Sequence, residues 1–178
     1  MPYHKLLISF LFLSSILLSA SENIMERVSD IIVIGNNYAS YEYVINRSEI
    51  SIGQSLSNDD VQNAIKNLYR TGMFENIIIE RRDDIIGNVI VINLKEYRRI
   101  NKIIFKGNKK KKEKEIRENI NVKEGYFASE NNMFLLIKQI EEFYKEKGFL
   151  NIEIEHLLDS ISDESVNIVL NINEKDII

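Results

Sequence analysis

Two copies of one pattern fill most of this 178-residue chain, and that repetition limits the fold more than any single motif does. Ile31-Ile32-Val33-Ile34-Gly35-Asn36 returns as Ile103-Ile104-Phe105-Lys106-Gly107-Asn108, 72 positions later. Gly53 and Gly125 keep that spacing. Tyr69-Arg70-Thr71-Gly72-Met73-Phe74 aligns with Tyr144-Lys145-Glu146-Lys147-Gly148-Phe149 at a spacing of 75 or 76, and Glu96 aligns with Glu174 at 78. A few residues are therefore inserted within the second copy. The units run over roughly 28–97 and 98–176. No Pro-, Gly- or Ser-rich linker parts them, because Tyr97-Arg98-Arg99 leads straight from one to the next.

Each unit reads strand, helix, helix, strand, strand. The opening run is short, β-branched and stopped by Gly-Asn, which predicts a strand ending in a turn. Short helices are expected near Tyr41–Arg47 and Lys112–Ile120, the second with Ile116 and Ile120 on one face. Ser57 can cap the next helix, with Asp60 at capping-box spacing. Val61, Ile65, Leu68 and Tyr69 form its apolar stripe, and Gly72 its stop. In the second unit Ser129 is the cap, Met133, Ile137, Ile140 and Tyr144 the stripe, and Gly148 the stop. Strands follow at Phe74–Arg82 and Val89–Glu96, joined by a turn near Asp83–Asn88, and again at Phe149–Asp159 and Val166–Asn173. Ile152 and Ile154 alternate with Glu153 and Glu155, the pattern of a strand buried on one face. The expected class is α+β: two β-α-α-β-β domains, each a three-stranded mixed sheet covered on one face by two helices.

Composition excludes several chemistries. The chain has no Cys, so disulfides, thiolate metal sites and a cysteine nucleophile are out. Its two histidines, His4 and His156, cannot build a histidine metal centre or a Ser-His-Asp triad between them. A net charge of −4 opposes sequence-independent nucleic-acid binding. The glycines form no phosphate-cradling loop. The acidic pairs Asp59-Asp60 and Asp83-Asp84 suit a helix start and a turn better than a cation. Lys109–Lys112 with Lys106 and Lys114 form a basic run, read as a solvated loop entering a helix. No catalytic residue, metal, cofactor or small-molecule substrate is expected.

Residues 1–21 read as a cleaved signal peptide. Lys5 precedes Leu6–Leu18, a 13-residue uncharged run, and Ser19-Ala20-Ser21 suits cleavage. The run is shorter than the roughly 20 apolar residues of a membrane-spanning helix.

The ordered set of Gly35-Asn36, Gly53, Tyr69, Gly72 and Phe74, repeated as Gly107-Asn108, Gly125, Tyr144, Gly148 and Phe149, resembles two successive POTRA repeats of the BamA family, which assembles outer-membrane β-barrel proteins. The resemblance implies a non-enzymatic module in the periplasm, associated with the outer membrane. It implies unfolded outer-membrane proteins and assembly-complex subunits as partners, and membrane association through a C-terminal barrel that this chain does not contain. In the family the second strand is an edge of the sheet. That makes Asn76, Ile77, Ile78, Ile79 and Glu80, with Ile152, Glu153, Ile154 and Glu155, the expected edges where a client adds as a further strand. Two other readings stay open: an inner-membrane-anchored POTRA scaffold of the cell-division type, and the POTRA region of a two-partner secretion transporter.

Overall fold

The computed structural model describes residues 27–175. The expected signal segment, with His4, and the last residue of the second repeat, 176, lie outside them. The chain divides into two compact units between Glu96 and Tyr97. The first contains β1 (Val28–Ile34), α1 (Tyr41–Ser48), α2 (Asn58–Tyr69), β2 (Phe74–Asp84) and β3 (Gly87–Glu96). The second contains β4 (Arg99–Lys106), α3 (Glu113–Glu118), α4 (Glu130–Glu146), β5 (Ile152–Ser160) and β6 (Ser165–Glu174).

Each unit holds a three-stranded mixed sheet. The orders are β1-β3-β2 and β4-β6-β5, with the last strand of each unit in the middle. β1 pairs parallel with β3 and β4 with β6, while the hairpins β2–β3 and β5–β6 are antiparallel. A parallel pair needs a long crossover, and the two helices supply it. Alternation along β3 sends Ile90, Ile92 and Leu94 into the core with Ile31, Val44, Ala64, Leu68, Phe74 and Ile77. Ile168, Leu170 and Ile172 of β6 likewise meet Ile103, Ile116, Leu136, Ile140, Phe143, Tyr144 and Phe149. Each such side chain contributes about 1.5–3 kcal/mol when fully buried.

The turn after the first strand explains the repeated Gly-Asn. A Cβ on Gly35 would stand 2.0 Å from the Leu94 carbonyl oxygen, and one on Gly107 2.2 Å from that of Ile172. Both glycines also have φ +82, a left-handed conformation that side chains disfavour. The next residue closes the turn: Asn36 Nδ2 donates to the Ala39 carbonyl at 3.0 Å, and Asn108 Nδ2 to that of Lys111 at 3.1 Å. The closing glutamates serve the same loops. The Glu96 carboxylate accepts the amides of Tyr38 (2.9 Å) and Ala39 (2.8 Å), and Glu174 accepts that of Lys110 (2.7 Å). The spacings of 72 and 78 thus belong to residues that meet in space.

The long helices correct two expectations. Tyr69 is not in the buried stripe: it is 44% exposed, whereas Tyr144 is fully buried. The two tyrosines are not structural equivalents. Leu68 and Tyr144 occupy matching places, four residues before Gly72 and Gly148, as Ala64 and Ile140 do one turn earlier. Leu136 and Phe143 also line the second core and were absent from the expected stripe. The caps keep the 72-residue spacing, Ser57 accepting from the Asp60 amide and Ser129 from that of Asn132. The stop glycines Gly72 and Gly148 are spaced by 76, so the insertion of four residues lies inside the helix. Four residues are close to one turn, which lengthens α4 without rotating its buried face far.

Strand limits differ too. Phe149 was expected to open a strand, but β5 begins at Ile152. The Phe149 amide instead donates to the Tyr144 carbonyl at 3.0 Å while the Gly148 amide donates to that of Lys145, a Schellman closure of α4. The ring packs edge-on to Tyr144 at 5.6 Å. In the first hairpin the expected six-residue turn shrinks to Ile85-Ile86, because pairing continues to Asp84 and Gly87.

Candidate docking edges

β2 and β5 each pair on one side only, with β3 and β6. Their outer sides form sheet edges, as the resemblance implied. Within β2, Ile77 is buried and Ile79 half-buried against the helices, while Asn76, Ile78 and Glu80 are exposed on the open face. Within β5, Ile152 and Ile154 pack against the core, and Glu153 and Glu155 are exposed. The alternation read from the sequence is thus the alternation of faces. Beyond Ile79 the far half of β2 is exposed on both faces, and the tip residue Ile85 is 89% exposed.

β1 and β4 are also edges, yet their outward groups at Val28 and Ile31, and at Ile100 and Ile103, are engaged. The Val28 amide donates to the Gln54 carbonyl (2.9 Å), and the Gly53 amide to that of Val28 (2.8 Å). The same loop closes over Ile100, through Tyr126 (2.8 Å) and Gly125 (2.7 Å). Arg27 and Arg99 clasp it by donating to the Gly53 and Gly125 carbonyls at 2.8 and 2.6 Å. One turn along, the Ile31 amide donates to the Asp30 carboxylate and its carbonyl accepts from the Tyr41 hydroxyl. In the second unit the Ile103 amide donates to Glu124 Oε1 (3.3 Å), and its carbonyl accepts from Arg117 Nη2 (2.6 Å).

Arg117 and Glu124 also bind one another at 2.9 Å, and Glu113 holds Arg117 Nε at 2.7 Å. Burial pushes the Glu124 carboxyl up, but bonds from its own backbone amide, Arg117 and the Ile103 amide outweigh it and hold the group below the usual range. This ion-pair clasp escaped the sequence reading. Its only sequence signal is the Glu113–Arg117 spacing of four on one helix face.

The remaining sequence candidates do not assemble into a second site. The Lys run is the loop into α3: the amide of Lys110 binds Glu174, and the amide of Lys112 donates to Glu115 at 3.4 Å. A lysine side chain has no acceptor, so α3 lacks the side-chain cap that Ser40 provides to α1. His156 is exposed on β5. Asp60 is the capping-box partner of Ser57, whose hydroxyl and amide hold its carboxyl below the usual range. Among the described residues no three His, Asp or Glu side chains converge as metal ligands, and no helix is long and apolar enough to cross a membrane.

Comparison with known proteins agrees with this geometry. A family model described as POTRA, surface antigen variable number repeat, matches residues 26–97 and 98–175. The chain is 32% identical over 172 residues to the outer membrane protein assembly factor BamA of Buchnera aphidicola subsp. Acyrthosiphon pisum (strain APS), covering 94% of this chain and 27% of that protein. The chain thus spans about a quarter of the curated relative's length. Among solved structures, the N-terminal domain of Omp85 from Thermosynechococcus elongatus matches with a TM-score of 0.62 at 18% identity, over 82% of this chain and 61% of that one. POTRA1-2 of the periplasmic domain of Omp85 from Anabaena matches at 0.55 and 16% identity, over 85% of this chain and 96% of that one. These two likenesses concern the fold alone. With the family model on both repeats, the chain belongs to the POTRA family and carries two of its domains in tandem.

Proposed function

We propose that this chain is a non-catalytic periplasmic interaction module in outer-membrane protein assembly. It acts as two POTRA domains, residues 28–97 and 98–176, behind a cleaved signal at 1–21. It holds extended segments of unfolded outer-membrane proteins or of assembly-complex subunits by adding them as a strand to β2 or β5. The observation that carries this reading is the inequality of the edges: all four edge strands lack an outer neighbour, but loops and side chains engage β1 at Val28 and Ile31 and β4 at Ile100 and Ile103, leaving β2 and β5 as the less covered pair. The likeness to an outer membrane protein assembly factor supports the setting.

Each added backbone hydrogen bond nets about 0.5–1.5 kcal/mol, so four give roughly 2–6 kcal/mol before ordering costs. Such binding is weak and tolerant of sequence, which suits holding and releasing many clients. Photo-crosslinking groups placed at Ile78 and Glu155, with controls at Ile104 on β4 and Lys138 on α4, test it against an unfolded barrel precursor. Adducts concentrated at Ile78 or Glu155 are expected, and Ile79→Pro or Ile154→Pro, at residues whose amides face outward, should weaken them. Equal labelling at all four positions, or full binding in both proline variants with native circular dichroism, would overturn the edge model.

A further inference from the structure

The two open edges differ in charge. Register in the β5–β6 hairpin is unbroken, so Glu153, Glu155, Leu157 and Asp159 share the open face, and Ile152, Ile154, His156 and Leu158 the helix side. Glu153 is engaged by Lys175. Among the described residues Glu155 and Asp159 have no ion-pair partner. The other cations of this face, Lys102 and Lys106, are on β4, beyond the intervening β6. At about 4.8 Å per strand their backbones stand roughly 10 Å inside the edge, and Lys106 lines a shallow cavity with Glu153 and Glu155 without forming an ion pair with either.

The matching positions of β2, found through the shared register with β3 and β6, are Asn76, Ile78, Glu80 and Arg82. There Glu80 and Arg82 pair at 3.2 Å, which leaves that edge balanced. Acidity is therefore a property of the second repeat and not of the fold.

We propose that the β5 edge selects cationic strands. Its occupant is an extended protein segment with Lys or Arg at alternate positions, facing Glu155, Asp159 and Glu153, and aliphatic side chains on the other face to meet Ile152, Ile154 and Leu158. Opposite charges directly across a strand pair attract, like charges repel, and the aliphatic side extends the core's half-buried rim. This rests on the strand-addition reading above and adds to it the chemistry of the strand. The β2 edge, with Ile78 in place of Glu155, makes no such selection.

The test uses the full chain and three nine-residue peptides that alternate Val with Lys, Glu or Ser, followed by fluorescence anisotropy and by amide shifts along β5. The Lys peptide should bind about tenfold tighter than the Ser peptide and tighter still than the Glu peptide at low salt. The margin should narrow toward parity at about 0.5 M salt. Glu155→Lys with Asp159→Lys, both exposed and outside the core, should reverse the order. Equal binding of all three peptides, with shifts on β5, would sink charge selection and leave strand addition standing. Lys-peptide binding that the double substitution leaves unchanged would place the cation site elsewhere and overturn the proposal. Absence of binding by any peptide would overturn both readings at this edge.

Discussion

In the first repeat, Ile34, Asn93 and Ile78 lie in one row across the open face of the sheet; in the second, the same row is Lys106, Asn171 and Glu155. The two isoleucines are about half exposed. Around this row nothing structural changes. The glycine after it, the asparagine that closes the turn, the glutamate that holds the loop and the arginine that clasps the opposite edge all recur. Backbone geometry excludes a side chain at the glycine, and the other three residues each hold a loop by a hydrogen bond, whereas side chains on a solvated sheet face are limited by little except what docks there. A second contrast lies at the closed edge. Arg117 and Glu124 of the second repeat stand where the first has Ile45 and Ile52, so one edge is closed by charge and the other by a carboxylate and a tyrosine hydroxyl.

The largest expected effect tests the shared backbone lock. Gly35→Ala or Gly107→Ala should each cost about 3 kcal/mol or more, because a methyl group meets a carbonyl that cannot move and φ is left-handed. Gly53→Ala and Gly125→Ala share the left-handed φ without a neighbour, and should cost about 1–2 kcal/mol. Urea denaturation of all four measures the difference; equal losses would mean that close approach adds nothing to conformation. Next comes the tyrosine pair. The buried Tyr144 hydroxyl donates to Glu174 at 2.7 Å, and burial followed by that bond pushes its phenol well above the ordinary range. Tyr144→Phe should cost about 1.5–3 kcal/mol, as for a bond to a charged group. Tyr69→Phe should change stability by less than about 0.5 kcal/mol. Similar losses in the two variants would restore the equivalence that the fold denies.

Smaller effects sharpen the contrast between helix starts. Ser40→Ala should lose about 1 kcal/mol, and Lys112→Ser, at the matching position, should gain about half as much by supplying the missing cap. Thermal melts resolve both, and a loss in Lys112→Ser would mean that the lysine itself holds the loop. The smallest effect depends on pH. The folded Glu124 carboxyl lies below the ordinary glutamate range, so the unfolded chain binds more protons in that window. Its contribution is complete above about pH 4.5 and is lost as pH falls through the folded value. Glu124 is partly exposed, so the loss should stay under about 1 kcal/mol. It should vanish in Glu124→Gln and be confined to the second repeat, which unfolding at stepped pH would reveal.

Much of this architecture is visible in the residues alone. The doubled Gly-Asn turn, the serine caps and the alternation of Ile152 and Ile154 with their glutamates mark elements through local chemistry, and local chemistry can be read along a line. The alignment of Tyr69 with Tyr144 failed for the same reason. Identical letters at similar distances from a glycine suggest equivalence, but burial follows the helix face, and an added turn with one residue fewer before the phenylalanine moves the tyrosine onto it. The Arg117–Glu124 clasp was equally hidden, because its residues sit on a helix and a loop that only packing brings to Ile103, one at its carbonyl and the other at its amide.

By itself, then, the chain's order of residues determined the repeat, the class of fold, the limits of most helices and strands and the faces of the edge strands. These depend on periodicity and backbone preference, which act over a few neighbours. Tertiary structure alone decided which edge of each sheet is closed, which tyrosine is buried, and why Gly35 and Gly107 admit no side chain. Each of those depends on contacts between separate elements of the chain, and no local preference encodes a partner that folding has yet to bring near.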